Sequence, residues 1–393
     1  MNLFPLGRKK ITALIVMIFV LIVTNSYSEQ LAIQPQFDYA GNFYEGMALV
    51  LKNDRFGYID RSGKLVIPFR FKGGASDFAE GLAVVQERIG GKLGYINKRG
   101  KYIIPPIFEE ADTFAEGLAL VKHYRSQAQG LIDKTGKFVF SNDQSLYCEE
   151  GFDTKFSSFS EGLAAVIIYR YKRGFFDRYG YVDKKGQSVI PPKFSHLPEC
   201  HTCLGDCYGF PRSKDEDCLN NLEDLISFSE GMAAVRVKGK WGYINKSGKI
   251  VVLPQFGGPE EDVIEDGFPV SSFSEGMAAV RVKGKWGYIN QKGKFVVKPK
   301  FSKVSSFSEG FAAVVKNGKC GYINQKGSIV IKIEYDDVGN FIDGLAPVKI
   351  SEKWGFINKT GSIAIKPVYD DVGKFSEGLA PVQVGTKWGY IKK

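Results

Sequence analysis

A period of 34 residues constrains this chain more than any other feature. Phe273 to Ser306 reads FSEGMAAVRVKGKWGYINQKGKFVVKPKFSKVSS, and the next copy starts in phase at Phe307. Such a period marks repeat architectures, in which each copy is one small unit stacked on its neighbours. An acidic-Gly step recurs nine times, at Glu45-Gly46, Glu80-Gly81, Glu116-Gly117, Glu161-Gly162, Glu230-Gly231, Glu275-Gly276, Glu309-Gly310, Asp343-Gly344 and Glu377-Gly378. A Phe stands two residues before each acid, from Phe43 to Phe375. A Gly-aromatic step follows in every copy but the third, where it is Gly130-Leu131.

The unit reads as three short strands. Met277 to Lys283 (MAAVRVK) and Lys285 to Asn290 (KWGYIN) carry the small, branched and aromatic residues that suit a pleated, half-buried surface. Lys294 to Phe301 (KFVVKPKF) is the third, and Pro299 places part of it at a sheet edge. Nothing repeats at 3.6 residues, so helix is not expected. After the second strand comes Asn290-Gln291-Lys292-Gly293, the pattern of a type I turn whose Gly takes positive φ. The equivalent glycines are Gly63, Gly100, Gly136, Gly186, Gly248, Gly327 and Gly361. Trp and Tyr of one strand share a face. Trp241, Trp286, Trp354 and Trp388, with Tyr243, Tyr288, Tyr322 and Tyr390, are therefore the expected repeat core.

Lys240-Trp241-Gly242-Tyr243-Ile244-Asn245, Lys285 to Asn290, Lys353-Trp354-Gly355-Phe356-Ile357-Asn358 and Lys387-Trp388-Gly389-Tyr390-Ile391 resemble the bacterial WG-repeat (KWG-repeat) family, from about residue 30 to the C-terminus. Five copies depart at the Trp, with Phe56, Leu93, Gln129, Tyr179 and Cys320, which favours packing over ligand contact as its role. The resemblance implies a tandem β-repeat array with no recognised catalytic residues.

The fold class expected is all-β: about nine three-stranded units of ~34 residues in an open, solenoid-like array, the alternative being a closed propeller-like ring. LAIQPQF, Leu31 to Phe37, aligns with a third strand, and the chain ends on a second strand, the phase a ring would use. Against the ring stand nine units of three strands, where propellers typically have four to eight of four. Insertions at about 141–158, 195–225 and 257–270 occupy one slot, between the third strand and the next first strand. Insertions in one slot gather on one edge of an array, often the binding edge.

Residues 1–28 read as a signal peptide: Arg8, Lys9 and Lys10, then the apolar run Ile11 to Val23, then Ser26-Tyr27-Ser28 before Glu29. The array then spans 29–393. The expectation is export to the periplasm, outer surface or medium, with membrane contact only through this segment if it is uncleaved. The chain carries 53 Lys and Arg against 43 Asp and Glu. Its 44% apolar and 13% aromatic content excludes disorder as a class.

Four cysteines crowd one insertion: Cys200, Cys203, Cys207 and Cys218, with His196 and His201. The spacing could hold zinc, but export favours disulfides, with Cys148 as a further candidate; Cys320 replaces a Trp and is expected as a buried thiol. The nine acids in register could form a cation ladder or be satisfied by turn N–H groups and local lysines. Cations after the second strands, from Arg61 and Lys64 to Lys292 and Lys294, could form a basic edge facing an anionic polymer, or simply be solvated. Three His support no catalytic triad, no phosphate-binding Gly loop is present, no nucleic-acid motif appears, and no cofactor is expected. The function expected is that of an exported, non-enzymatic protein-binding or scaffold surface. The alternative is a module that binds anionic envelope glycan.

Overall fold

A computed structural model describes residues 31–126, 128–141, 152–170, 175–194, 226–257 and 268–393. Residues 1–28, expected as a signal peptide, the Cys-rich insertion and Cys148 lie outside the described residues. What is described is all-β, folded as a series of small antiparallel sheets.

The sixth unit shows the plan. Met277–Val282 pairs with Lys285–Asn290, which pairs with Phe295–Phe301. Phe295–Phe301 lies at the sheet edge, where the missing N–H of Pro299 breaks no ladder. The expected three strands per unit need correction. In the first, fourth, seventh, eighth and ninth units the sheet has four strands. The added strand leads each unit: Lys303–Val304, for example, pairs with Phe311–Lys316 in the seventh. It escaped the pattern because in the seventh, eighth and ninth units it is two residues long, too short to show alternation.

The core lies between units. First strands such as Met-Ala-Ala-Val, residues 277–280, are buried on both faces. Met277 and Ala279 pack with Tyr288, Val297 and Phe301 against Phe307, Ala312, Val314 and Ile323 of the seventh unit. Ala278, Val280 and Ile289 pack the other way, with Tyr243, Val252 and Phe256 of the fifth. Small residues on both faces let neighbouring sheets approach closely. No unit therefore closes a core alone.

Two contacts recur at the junctions that follow a Gly-Tyr step; the third unit has Leu131 and the eighth Phe356 in that place. The buried Tyr of one unit meets the Phe of the next, with ring centroids 4.8 Å apart for Tyr243–Phe273 and 4.9 Å for Tyr288–Phe307. Its hydroxyl donates to the next unit's backbone, as from Tyr288 Oη to the Ser305 carbonyl at 2.7 Å. A buried phenol needs such a partner, and burial pushes the Tyr243 and Tyr288 phenols well above their ordinary range.

The same contacts join the ninth unit to the first. Leu31–Phe37 pairs antiparallel with Lys387–Lys392 and stands as the third strand of the ninth sheet. Tyr390 meets Phe43 at 5.1 Å and donates to the Gly41 carbonyl at 2.8 Å. Ile33, Phe37, Ala40, Phe43, Val50 and Tyr390 share one core cluster.

Candidate functional site: the two ends of the repeat units

Each unit has two ends with different chemistry. At one end stand the acidic-Gly turns and the Asx-x-x-Gly turns. In Ser274-Glu275-Gly276-Met277 both central residues have positive φ, +53° and +77°, and Ser274 and Met277 exchange backbone hydrogen bonds. This is a type I′ hairpin turn, which ordinarily favours Asn-Gly or Asp-Gly. Glu at left-handed φ is strained by about 1 kcal/mol or more. Its longer side chain supplies the compensation, because the carboxylate reaches the next unit. Glu275 accepts the Gly310 N–H at 2.9 Å, Glu309 that of Gly344 at 2.9 Å, and Glu45 that of Gly81 at 3.0 Å. Glu377 accepts the Gly46 N–H at 3.1 Å. Asp343, one methylene shorter, makes no such bond among the described residues.

The lysine of the next unit's Asx-x-x-Gly turn closes the staple. Lys98 pairs with Glu45, Lys134 with Glu80, Lys184 with Glu116, Lys246 with Glu161 and Lys359 with Glu309, all at 3.0 to 3.1 Å. Gln325 takes this place beside Glu275, at 3.1 Å. Burial pushes the Glu80, Glu116 and Glu309 carboxyls up, but the lysine and the Gly N–H outweigh it and hold them below the usual carboxylate range. The acid row and part of the basic row thus neutralise each other across junctions. Lys64, Lys292 and Lys294 remain exposed.

The turn glycines sit at this end. Gly63, Gly100, Gly136, Gly186, Gly248, Gly293, Gly327 and Gly361 all have positive φ, from +74° to +86°. Asn290 Oδ1 accepts the N–H groups of Lys292 and Lys294 at 3.1 and 3.0 Å, which fixes the turn. Gly293 is restricted a second way, since a Cβ there would meet Val252 of the previous unit at 2.9 Å.

Among the tryptophans, Trp241 is buried, while Trp286, Trp354 and Trp388 are half-buried against their clusters. Tyr243, Tyr288, Tyr322 and Tyr390 are all fully buried. The Gly between Trp and Tyr lets two strands approach: a Cβ on Gly287 would lie 2.4 Å from the Val297 carbonyl oxygen. Cys320, in a Trp position, is a buried thiol whose pKa burial pushes up.

At the opposite end the first strand turns into the second and the third strand leaves for the next unit. The lysine before Trp or Cys is anchored here. Lys319 pairs with Asp336, Lys353 with Asp370 and Lys387 with Asp38, and these aspartates also accept turn N–H groups. Those ion pairs hold the three carboxyls below their ordinary range. In the first and the fifth to ninth units this turn has two residues. In the second, third and fourth it is longer, running between Gln86 and Leu93, His123 and Gln129, and Arg170 and Phe175. All three insertions also leave from this end, after Phe138–Ser141, Ser188–Phe194 and Ile250–Phe256. Between the turns of the second and third units lies an open cavity of about 450 Å³. Glu87, Arg88, Ile89, Lys92, Tyr102 and Tyr124 are among its lining residues. Sequence reasoning missed this site; its signal was a run of extra residues between first and second strands.

No group of three or more metal-ligating side chains occurs among the described residues. The chain is similar in fold to a crystal structure of a eukaryotic initiation factor, with a TM-score of 0.54 at 10% identity, covering 85% of this chain and 88% of that one. It also matches AztD of Citrobacter koseri, with a TM-score of 0.41 at 13% identity over 80% and 93% of the two chains. The Dos1 propeller matches with a TM-score of 0.41 at 10% identity over 92% and 96%. No curated protein sequence matches the chain. The profile of the WG containing repeat matches ten segments: 27–55, 56–92, 94–124, 179–197, 222–241, 241–258, 266–286, 286–320, 321–354 and 354–388. With the Gly-aromatic step, the acidic-Gly turn and the Asx-x-x-Gly turn each in its structural place, the chain belongs to the WG-repeat family.

Proposed function

We propose that this protein is an exported, non-enzymatic binding platform: nine units closed into a propeller-like ring, with a protein partner docked where first strands turn into second strands in units two to five. The observation that carries this reading is the confinement of length variation. Every elongated turn and every insertion leaves from that one end. Growth there leaves the junctions intact, and binding residues concentrate on loops that a rigid scaffold positions.

Closure is supported by the contacts of the ninth unit with the first. In an open array the two end units would each expose an apolar face and would need capping repeats. Here Tyr390 and Ile33 cover Ala40, Phe43 and Val50, so neither face is left bare. The four-stranded sheets also remove one objection that the sequence raised against a ring. Export rests on the leader pattern of residues 1–28.

A photo-reactive amino acid at Ile89, which is 77% exposed, tests the platform against the same probe at Lys292 on the stapled end. The expected result is a discrete cross-linked protein from position 89 in cell-envelope preparations and none from position 292. Equal adducts from both positions, or none from either, would overturn the reading. The mature protein should begin at Glu29, read by N-terminal sequencing.

A further inference from the structure

We infer that the cavity between the long turns of units two and three is a subsite for a carboxylate-bearing sugar residue, such as the uronic acid of an acidic polysaccharide. This inference shares its location with the platform proposed above but does not need a protein partner.

The argument starts from charge. Arg88 and Lys92 line the cavity, and neither is engaged in an ion pair among the described residues. At the stapled end, by contrast, five lysines are held by carboxylates across the junctions, as Lys98 is by Glu45. Two cations against the single carboxylate of Glu87 leave this concave surface net positive, which raises the local concentration of anions. A guanidinium also fits a carboxylate with two parallel hydrogen bonds. The Lys92 ammonium sits 4.3 Å from the centre of the Tyr124 ring. That contact fixes the ammonium at the cavity wall while its N–H donors remain to be used.

The remaining walls narrow the anion. Tyr124 and Ile89 are 52% and 77% exposed, and Tyr102 and Pro106 extend the apolar surface. Such a surface suits the C–H face of a pyranose ring. Glu87, within 3.4 Å of the Tyr102 hydroxyl, offers acceptor oxygens for sugar hydroxyls. Gly90, at φ +69° with open space where a Cβ would be, lets a ligand approach the backbone. Inorganic phosphate would use the cations but not the walls. A peptide C-terminus would use the cations and the walls, but its backbone brings no hydroxyl groups to the Glu87 carboxylate. A carboxylated sugar uses the cations, the rings and Glu87 together. The volume lies within the range of small-molecule sites, about 300–1,000 Å³.

Isothermal titration of the full mature chain with trigalacturonate tests this, with its methyl-esterified form and a tripeptide ending in Phe with a free carboxylate as comparison ligands. The expected result is saturable binding of trigalacturonate, weakened about tenfold or more by the double variant Arg88→Ala/Lys92→Ala. Tyr124→Ala should weaken it by a smaller factor. The control Lys292→Ala, at the opposite end, should leave it unchanged. The esterified sugar should bind weakly and be indifferent to the double variant. Arg88, Tyr124 and Lys292 are exposed and Lys92 is half-buried, and the circular dichroism of all the variants should match the parent. Absence of saturable binding would overturn the assignment, as would equal losses in the double variant and the control. Tighter binding of the tripeptide would reassign the site to a peptide. Cross-linking of a protein at position 89 without sugar binding would leave the platform reading standing and this inference fallen.

Discussion

The two ends of the repeat units differ in what they tolerate. At the stapled end, all nine copies keep the acidic-Gly turn at the same length, and in eight of them the carboxylate reaches a Gly N–H in the next unit. At the other end, turns run from two residues to six and insertions interrupt the spacing. One residue added at the first end would break a junction on which a buried Tyr–Phe pair depends. The same residue added at the second end only lengthens a surface loop, and loop entropy rises slowly with length. Sequence regularity here therefore traces inter-unit contact, and irregularity traces freedom from it.

The comparison is broken most severely where the pairing between the two ends of the chain is removed. Deletion of Leu31–Phe37 takes the third strand from the ninth sheet and uncovers Tyr390 and Phe43. Losing the buried Ile33 and Phe37 should cost on the order of 5 kcal/mol or more, read from urea midpoints. If the deleted chain unfolds at the parent midpoint with only the ninth unit frayed, the array is open.

Next in size is the Tyr at each junction. Tyr288→Ala removes a fully buried ring, its contact with Phe307 and its hydrogen bond to Ser305, and should cost about 3–5 kcal/mol. The half-buried Trp286 should cost less on the same change, about 1–3 kcal/mol. The opposite order would make Trp286 the principal packing residue of the pair.

Within the stapled end, Gly293→Val places a β-branched side chain at φ +75° and drives its Cβ into Val252. A loss of about 2–4 kcal/mol is expected, against about 0.5 kcal/mol or less for the exposed neighbour Lys292→Val. Similar losses at the two positions would show that the turn readjusts.

Much of this was legible in the sequence, for identifiable reasons. The acidic-Gly and Asx-x-x-Gly turns were visible because positive φ restricts residue choice strongly. The second strand was visible because KWGYIN is aromatic and β-branched. Hidden were the facts that depend on the neighbouring unit. Glu275 looks like a local turn residue until Gly310 is placed beside it, and Ala278 and Ala279 face two different junctions. The cavity was hidden for another reason: Tyr102 and Tyr124 come from different units and are brought to one place by the pairing of Tyr102–Ala111 with Leu118–His123, which nothing in the repeat pattern announces.

The staples should respond to acid. Glu80, Glu116 and Glu309 titrate lower in the folded state than the ordinary value of 4.5. Depressed carboxyls bind fewer protons folded than unfolded, so their contribution is fully present above about pH 4.5 and is lost as pH falls below it. Glu309→Ala should cost about 1 kcal/mol at neutral pH, a charged hydrogen bond discounted for partial exposure. That cost should shrink toward zero as the pH falls below 4.5. A cost independent of pH would assign the effect to the turn strain rather than to the carboxylate.

The smallest expected effect is at the variable end and is the sharpest contrast with the staples. Replacing Glu87–Lys92 by Asn-Gly gives the second unit the two-residue turn that the first unit makes with Asn53 and Asp54. The pairing of Leu82–Gln86 with Leu93–Asn97 is already in the register that such a turn closes, Gln86 opposite Leu93. The junction residues Tyr95, Phe114, Glu80 and Gly117 are untouched. Surface changes away from caps, cavities and cores usually stay within about 0.5 kcal/mol, and the urea midpoint should move no more than that. The graft deletes Arg88, Ile89 and Lys92, so it should abolish any binding that depends on the cavity while stability holds. A loss of several kcal/mol would mean that the long turn is part of the junction after all, and that the two ends are less separate than their lengths suggest.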